Sequence, residues 1–166
     1  MKRIIAVCGS NAGDKNLSKE ILKIAEEVGR LIAGKGGILL CGGLGGIMEA
    51  VARGAKEKGG ITVGILPYDK SKANRYIDIP IETNLGFYRN YIIVNSADVI
   101  IGICGRWGTL NEISMAMALG KPVILISTSK GICELLSKKE ILEYFEEKPY
   151  IVETPEEAVE LAFKIK

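Results

Sequence analysis

Apolar residues follow two rhythms along this chain. Short runs rich in Ile, Val and Leu at Arg3–Cys8, Ile38–Cys41, Ile61–Ile65, Asp98–Ile103, Pro122–Ile126 and Tyr150–Val152 read as strands. Between them, apolar residues recur at helical spacing. Leu17–Ala33 carries them at positions 17, 21, 24, 25, 28, 31 and 32, and "GKGG" closes that helix. Gly46–Lys58, Gly86–Ser96, Thr109–Leu119 and Lys139–Glu147 read as further helices. A last helix begins with Thr154 as N-cap and Pro155 at the first helical position. Residues 66–84, with Pro67 and Pro80, form a long loop with room for a short strand at Tyr76–Ile79.

Strands that are apolar throughout and alternate with helices mean a parallel sheet covered on both faces. The fold expected is therefore α/β: a doubly wound, mainly parallel, Rossmann-like sheet whose ligands sit outside the carboxyl ends of the strands. No repeat, low-complexity tract or linker interrupts the 166 residues, so one Rossmann-like domain over 1–166 is expected.

Composition narrows the chemistry. There is no histidine, which removes the commonest general base, Ser-His and Cys-His pairs, and His-based metal sites. The four cysteines lack Cys-x-x-Cys spacing, so no metal site is expected. A net charge of +2 without a basic block gives no support for nucleic-acid binding. No apolar run approaches membrane-span length, and "MKRIIAVCGS" enters a strand directly, so a cytoplasmic protein without membrane contact is expected.

Three strands end in Cys-Gly: "CGSNAG" at 8, "CGGLGG" at 41 and "CGRWGT" at 104, each followed by a helix. In a parallel sheet these ends share one edge. Glycines there let backbone N–H groups approach an anion, and each helix N-terminus adds about half a positive charge. Gly9, Ser10, Asn11, Gly42, Gly43, Gly45, Gly46, Met48, Gly105, Arg106, Trp107, Gly108 and Thr109 are thus candidates to hold a phosphate-containing ligand. No turn matches the dinucleotide fingerprint or a Walker A motif, which disfavours ordinary NAD binding and NTP hydrolysis. Cys8, Cys41 and Cys104 read first as small buried residues, with a thiol site as the rival.

Two charged residues stand out. On a helical wheel Arg89 falls at about 200° from Phe87, between Ile92 and Ile93, where an arginine either finds an anion or snorkels to solvent. Glu112 follows Thr109 at capping-box spacing, so it reads as a cap of its helix, as a ligand-facing group, or as both, since a carboxylate at that helix end faces the strand-end crevice anyway.

The segment "RNYIIVNSADVIIGICGRWGTLNE" resembles the LOG (Lonely guy) family of cytokinin nucleoside monophosphate phosphoribohydrolases. Their pattern runs from an Arg, through a Ser-Asp strand, to P-G-G-x-G-T-x-x-E with the same spacing. "VCGS", "CGGLGGIMEAVARGA" and "VGILP" are similar to other stretches of that family. The resemblance implies that Arg89 and Glu112 are a catalytic pair, and that members are dimers or larger. Yet Cys104-Gly105-Arg106 stands where the family has P-G-G, and Trp107 follows. These departures look closer to a sister group of the same superfamily, the molybdenum cofactor carrier proteins. The historical label "lysine decarboxylase" is set aside, because nothing marks a Schiff-base lysine.

The first expectation is therefore a binding protein for a nucleotide-like or pterin-phosphate ligand, with no required cofactor but a nucleotide or molybdenum cofactor as the bound molecule. The alternative is a phosphoribohydrolase that cleaves an N-glycosidic bond with Glu112 and Arg89. Arg106 and Trp107 put binding first, since a cation and a ring suit a flat anionic ligand. A homo-oligomer, dimer or tetramer, is expected from the resemblance. The helix 86–96 is either its interface or simply buried.

Overall fold

All seven strands of the sheet run parallel, in the order β4-β3-β2-β1-β5-β6-β7. The computed structural model describes residues 1–165. The strands are β1 (Ile4–Gly9), β2 (Ile38–Cys41), β3 (Ile61–Leu66), β4 (Ile79–Glu82), β5 (Val99–Ile103), β6 (Val123–Ile126) and β7 (Tyr150–Val152). The helices are α1 (Lys19–Gly34), α2 (Ile47–Glu57), α3 (Arg89–Ser96), α4 (Trp107–Ala118), α5 (Gly131–Leu136), α6 (Lys139–Leu142) and α7 (Pro155–Lys164).

Side chains alternate across the strands and feed two cores. Ile5, Val7, Ile101, Ile103, Ile124 and Ile126 pack under α1, α2 and α7. Ala6, Cys8, Ile100, Val123 and Leu125 pack under α3, α4 and α5. Both faces of the central strands are dry, which is why those strands read as continuous apolar runs. The expected Rossmann-like α/β fold is the one formed.

Four local expectations change. The edge strand is β4 at Ile79–Glu82, three residues beyond Tyr76–Ile79. The Asp78 carboxylate accepts from the Thr62 N–H (3.0 Å) and from Lys56 Nζ (2.7 Å), while Thr62 Oγ1 donates to the Tyr76 carbonyl (2.6 Å). These ties join 76–78 to β3 largely through side chains, with one backbone bond from the Asp78 N–H to the Thr62 carbonyl (3.1 Å), and Pro80 is tolerated because the strand lies on an edge. Helix 86–96 opens as a 3-10 turn at Gly86–Tyr88 before α3. The helix at 139–147 shortens to Lys139–Leu142, and α5 precedes it unforeseen.

The fourth change is at α4, which starts at Trp107 with Arg106 as cap residue, not at Thr109. Thr109 is inside the first turn and Glu112 inside the second, so Glu112 is not part of a capping box. A capping box does form at α7, between Thr154 and Glu157.

Candidate functional site

The carboxyl ends of β2, β1 and β5 lie side by side, and a cleft of about 400 Å3 opens over them. Of the sequence candidates, Gly9, Ser10, Asn11, Gly42, Met48, Arg89, Arg106, Gly108, Thr109 and Glu112 line it. Gly43, Gly45, Gly46, Gly105 and Trp107 do not. Gly43 packs on Leu66 and Gly64, and Gly46 packs against the backbone of Ser10 and Asn11. These glycines allow loops to approach one another closely.

Arg89 and Glu112 meet at the floor of the cleft. Arg89 Nη1 lies 3.6 Å from Glu112 Oε1, an ion pair too long for a hydrogen bond. Both residues are buried, 9% and 7% exposed, so Arg89 has found an anion and does not snorkel. The pairing leaves capacity unused: Arg89 Nη1 has no hydrogen-bond partner among the described residues. A buried guanidinium N–H without an acceptor is costly, and such groups in folded proteins cluster where function requires them. Gly42 forms the bed on which the guanidinium rests. A Cβ on Gly42 would stand 2.5 Å from Arg89 Nη2 and 2.6 Å from Nη1.

Burial pushes the Glu112 carboxyl up to about 7, against the opposing pull of Arg89 and of the neighbouring Cys8 thiol. Unfolded, the same group titrates near 4.3, so the folded state holds the extra proton between these values. Stability contributed by Glu112 is therefore full below the unfolded value and lost as pH rises through about 7. The difference in unfolding free energy between the wild type and Glu112→Gln is expected to shrink by at most about 3 kcal/mol from pH 4.5 to pH 8. Urea denaturation at both pH values measures it, and a pH-independent difference would refute it. Comparing the two proteins subtracts the carboxylates that act in the opposite direction, such as Asp14 and Asp78, whose values are lowered by hydrogen bonds.

The β5–α4 turn is braced on two sides. Ser10 Oγ donates to Asp14 Oδ2 (2.6 Å) and accepts from the Gly105 N–H (2.9 Å). Behind the turn, Ser129 Oγ accepts from the Cys104 N–H (2.7 Å), while Cys133 and Ile132 donate to the Cys104 and Gly105 carbonyls. The Ser10 hydroxyl and the Gly105 N–H are thus committed within the protein. The open donors are elsewhere: Arg106 provides no side-chain cap, leaving the first-turn N–H groups of Trp107, Gly108 and Thr109 without helical partners.

A model of the SLOG cluster4 family matches residues 2–159. The chain belongs to the SLOG cluster4 family. Within the wider LOG and molybdenum cofactor carrier superfamily, this SLOG cluster4 chain has relatives of both kinds. An uncharacterized protein of Archaeoglobus fulgidus is 43% identical over 155 residues, 93% of this chain and 91% of that protein. The molybdenum cofactor binding protein of Rippkaea orientalis superposes with a TM-score of 0.86 at 38% identity, covering 97% of this chain and 95% of its own. A cytokinin riboside 5'-monophosphate phosphoribohydrolase of Mycobacterium tuberculosis is 36% identical over 118 residues, 64% of this chain and 63% of that enzyme.

Several cleft residues of this SLOG cluster4 chain carry no sequence signal. Tyr68 and Phe87 stand at the mouth, 62% and 80% exposed, with Asn90 and Asp14 lining the wall. Tyr68 belongs to the long loop and Asn90 to a helix read as apolar, so only tertiary structure brings them in. Of the cysteines, Cys8 lines the cleft, and burial pushes Cys8, Cys41 and Cys133 up, which keeps them as thiols. Among the described residues, no group of three or more Cys, Asp or Glu is placed to hold a metal ion, and no helix is long and apolar enough to cross a membrane.

Proposed function

We propose that this chain is a binding and carrier protein for a small phosphate-bearing heterocycle of the nucleotide or pterin-phosphate class. The observation that carries this reading is the buried Arg89 guanidinium, whose Nη1 has no hydrogen-bond partner among the described residues, in a cleft that also holds the uncapped first turn of α4. Arg89 would take one phosphate oxygen and the α4 amides another, with Arg106 at the rim. Tyr68 and Phe87 would cover a flat ring. The full-length likeness to the Rippkaea orientalis molybdenum cofactor binding protein supports the pterin-phosphate side of the class. Any molybdenum would be held by the cofactor itself.

Binding is preferred to hydrolysis because of the turn that starts α4. Cys104 has φ 58°. Proline is locked near −65°, so the Pro-Gly-Gly turn of the hydrolase pattern cannot form in this shape. One observation favours the second reading: Glu112, held near 7 beside Arg89, could ionise to stabilise an oxocarbenium ion or activate water at a ribose.

Incubation with AMP and isopentenyladenosine monophosphate separates the two. Carrier function predicts thermal stabilisation by these ligands or by a pterin phosphate, and no free base. Release of base that disappears in Glu112→Gln would overturn it.

We also propose a homo-oligomer. Ile93 and Val94 of α3 are fully buried within the chain, while Tyr91 (50% exposed) and Tyr88 (85%), which precedes the helix, offer the contact surface. Sedimentation of the purified chain tests this, and a monomer at micromolar concentration would refute it.

A further inference from the structure

The sheet winds outward from β1 through β2, β3 and β4, and in the other direction through β5, β6 and β7. The direction reverses between β1 and β5, and in doubly wound sheets a ligand of two halves lies across such a point, one half on each side. The cleft described above accounts for the β2–β1–β5 side. A second hollow of about 380 Å3 lies on the other side, over the ends of β5 and β6, and shares only Arg106 with the first.

Its walls differ chemically from those of the cleft. Trp107, 80% exposed, lines it together with Ile132 and Leu135, and among the described residues no carboxylate does. The cleft, in contrast, contains Glu112 and Asp14. The hollow thus offers an aromatic and aliphatic surface for a flat ring, without an acidic group to orient a sugar. Between the two hollows the ridge is the first turn of α4, with three N–H groups that lack helical partners and the Arg106 side chain. One helical turn further along α4 lies Glu112, ion-paired with Arg89, whose buried Nη1 has no hydrogen-bond partner among the described residues. A linker crossing this ridge meets N–H donors and guanidinium groups in succession, which suits two consecutive phosphates.

We propose that the site accepts a pyrophosphate-linked, two-ringed ligand: one ring in the cleft, the pyrophosphate over the start of α4, and the second ring against Trp107 in the outer hollow. This rests on the reading of the cleft as a phosphate–heterocycle site and extends it to a ligand class. Tethering makes the second contact intramolecular, so even a weak stacking contact raises affinity.

FMN, AMP and FAD are suitable probes, because FAD joins the first two through a pyrophosphate. Trp107 is the only tryptophan in the chain, so its fluorescence reports stacking directly. In calorimetric titrations FAD is expected to bind at least tenfold tighter than FMN or AMP, and to quench Trp107 where the mononucleotides do not. In Leu135→Glu, a change at a 44% exposed position, FAD affinity should fall to that of FMN, with FMN affinity retained. Binding of FMN or AMP with no gain for FAD, or equal quenching by FMN, overturns the two-ringed ligand and leaves the cleft reading standing. Failure of all three to bind overturns the two-ringed ligand together with the nucleotide side of the cleft reading.

Discussion

Gly42→Ala is expected to lower the affinity of the cleft for a phosphate-bearing ligand by roughly a hundredfold while the protein still unfolds cooperatively. The new Cβ would collide with both terminal nitrogens of Arg89 and with Met48 Sδ, 2.7 Å away. All three atoms are ends of flexible side chains, so the side chains yield and the backbone stays. Displacing the guanidinium removes charge-assisted hydrogen bonds worth about 1.5–3 kcal/mol each, which is the source of the hundredfold figure. A double-mutant cycle isolates the mechanism: in an Arg89→Ala background, Gly42→Ala should cost nothing further. Equal losses in both backgrounds would show that Gly42 touches the ligand directly and does not act through Arg89.

Gly54→Ala should act on stability instead. The face of α2 that meets α1 carries Gly54 against the Glu26 backbone, and α1 carries Gly29 against the backbone of Val51 and Ala55. A methyl group at position 54 would overlap the Glu26 carbonyl, which cannot move away as a side chain can. The two helices must separate, opening the core beneath Val28 and Val51. A loss of about 3 kcal/mol is expected, the upper end of overpacking penalties. For a chain of this length that corresponds to a fall of roughly 6–12 °C in Tm. Gly34→Ala is the control, since nothing lies within 4 Å of a Cβ there, and it should change Tm little. Similar melting of both variants would refute the close-packing account.

These two glycines also show where sequence reasoning stops. The strands were legible because each is an unbroken apolar run, and their shared edge followed from parallel winding. Arg89 stood out because it carries a charge where helix stability does not require one, and Glu112 because its capping-box position also faces the strand-end crevice. Gly42 was also visible as a candidate, but the strand-end pattern gives no sign of its neighbour in the structure, the Arg89 guanidinium that lies on it. The start of α4 was misplaced because Thr109-x-x-Glu112 mimics a capping box, while tertiary burial draws Glu112 to Arg89. Tyr68, Asn90 and Asp14 enter the cleft from elements whose own patterns give no reason to face it. The β4 shift has the same origin, since the Asp78 ties to Thr62 and Lys56 connect residues distant in sequence.

The bridge from Asp14 through Ser10 to the Gly105 N–H has a consequence for how fast the cleft works. It joins the loop after β1 to the turn after β5 before any ligand arrives. These two loops are not left to be arranged on encounter, so the entropy of placing them is spent during folding and not at capture. Association should then proceed in a single kinetic phase, its rate constant linear in ligand concentration, with differences among ligands expressed in how long each one stays.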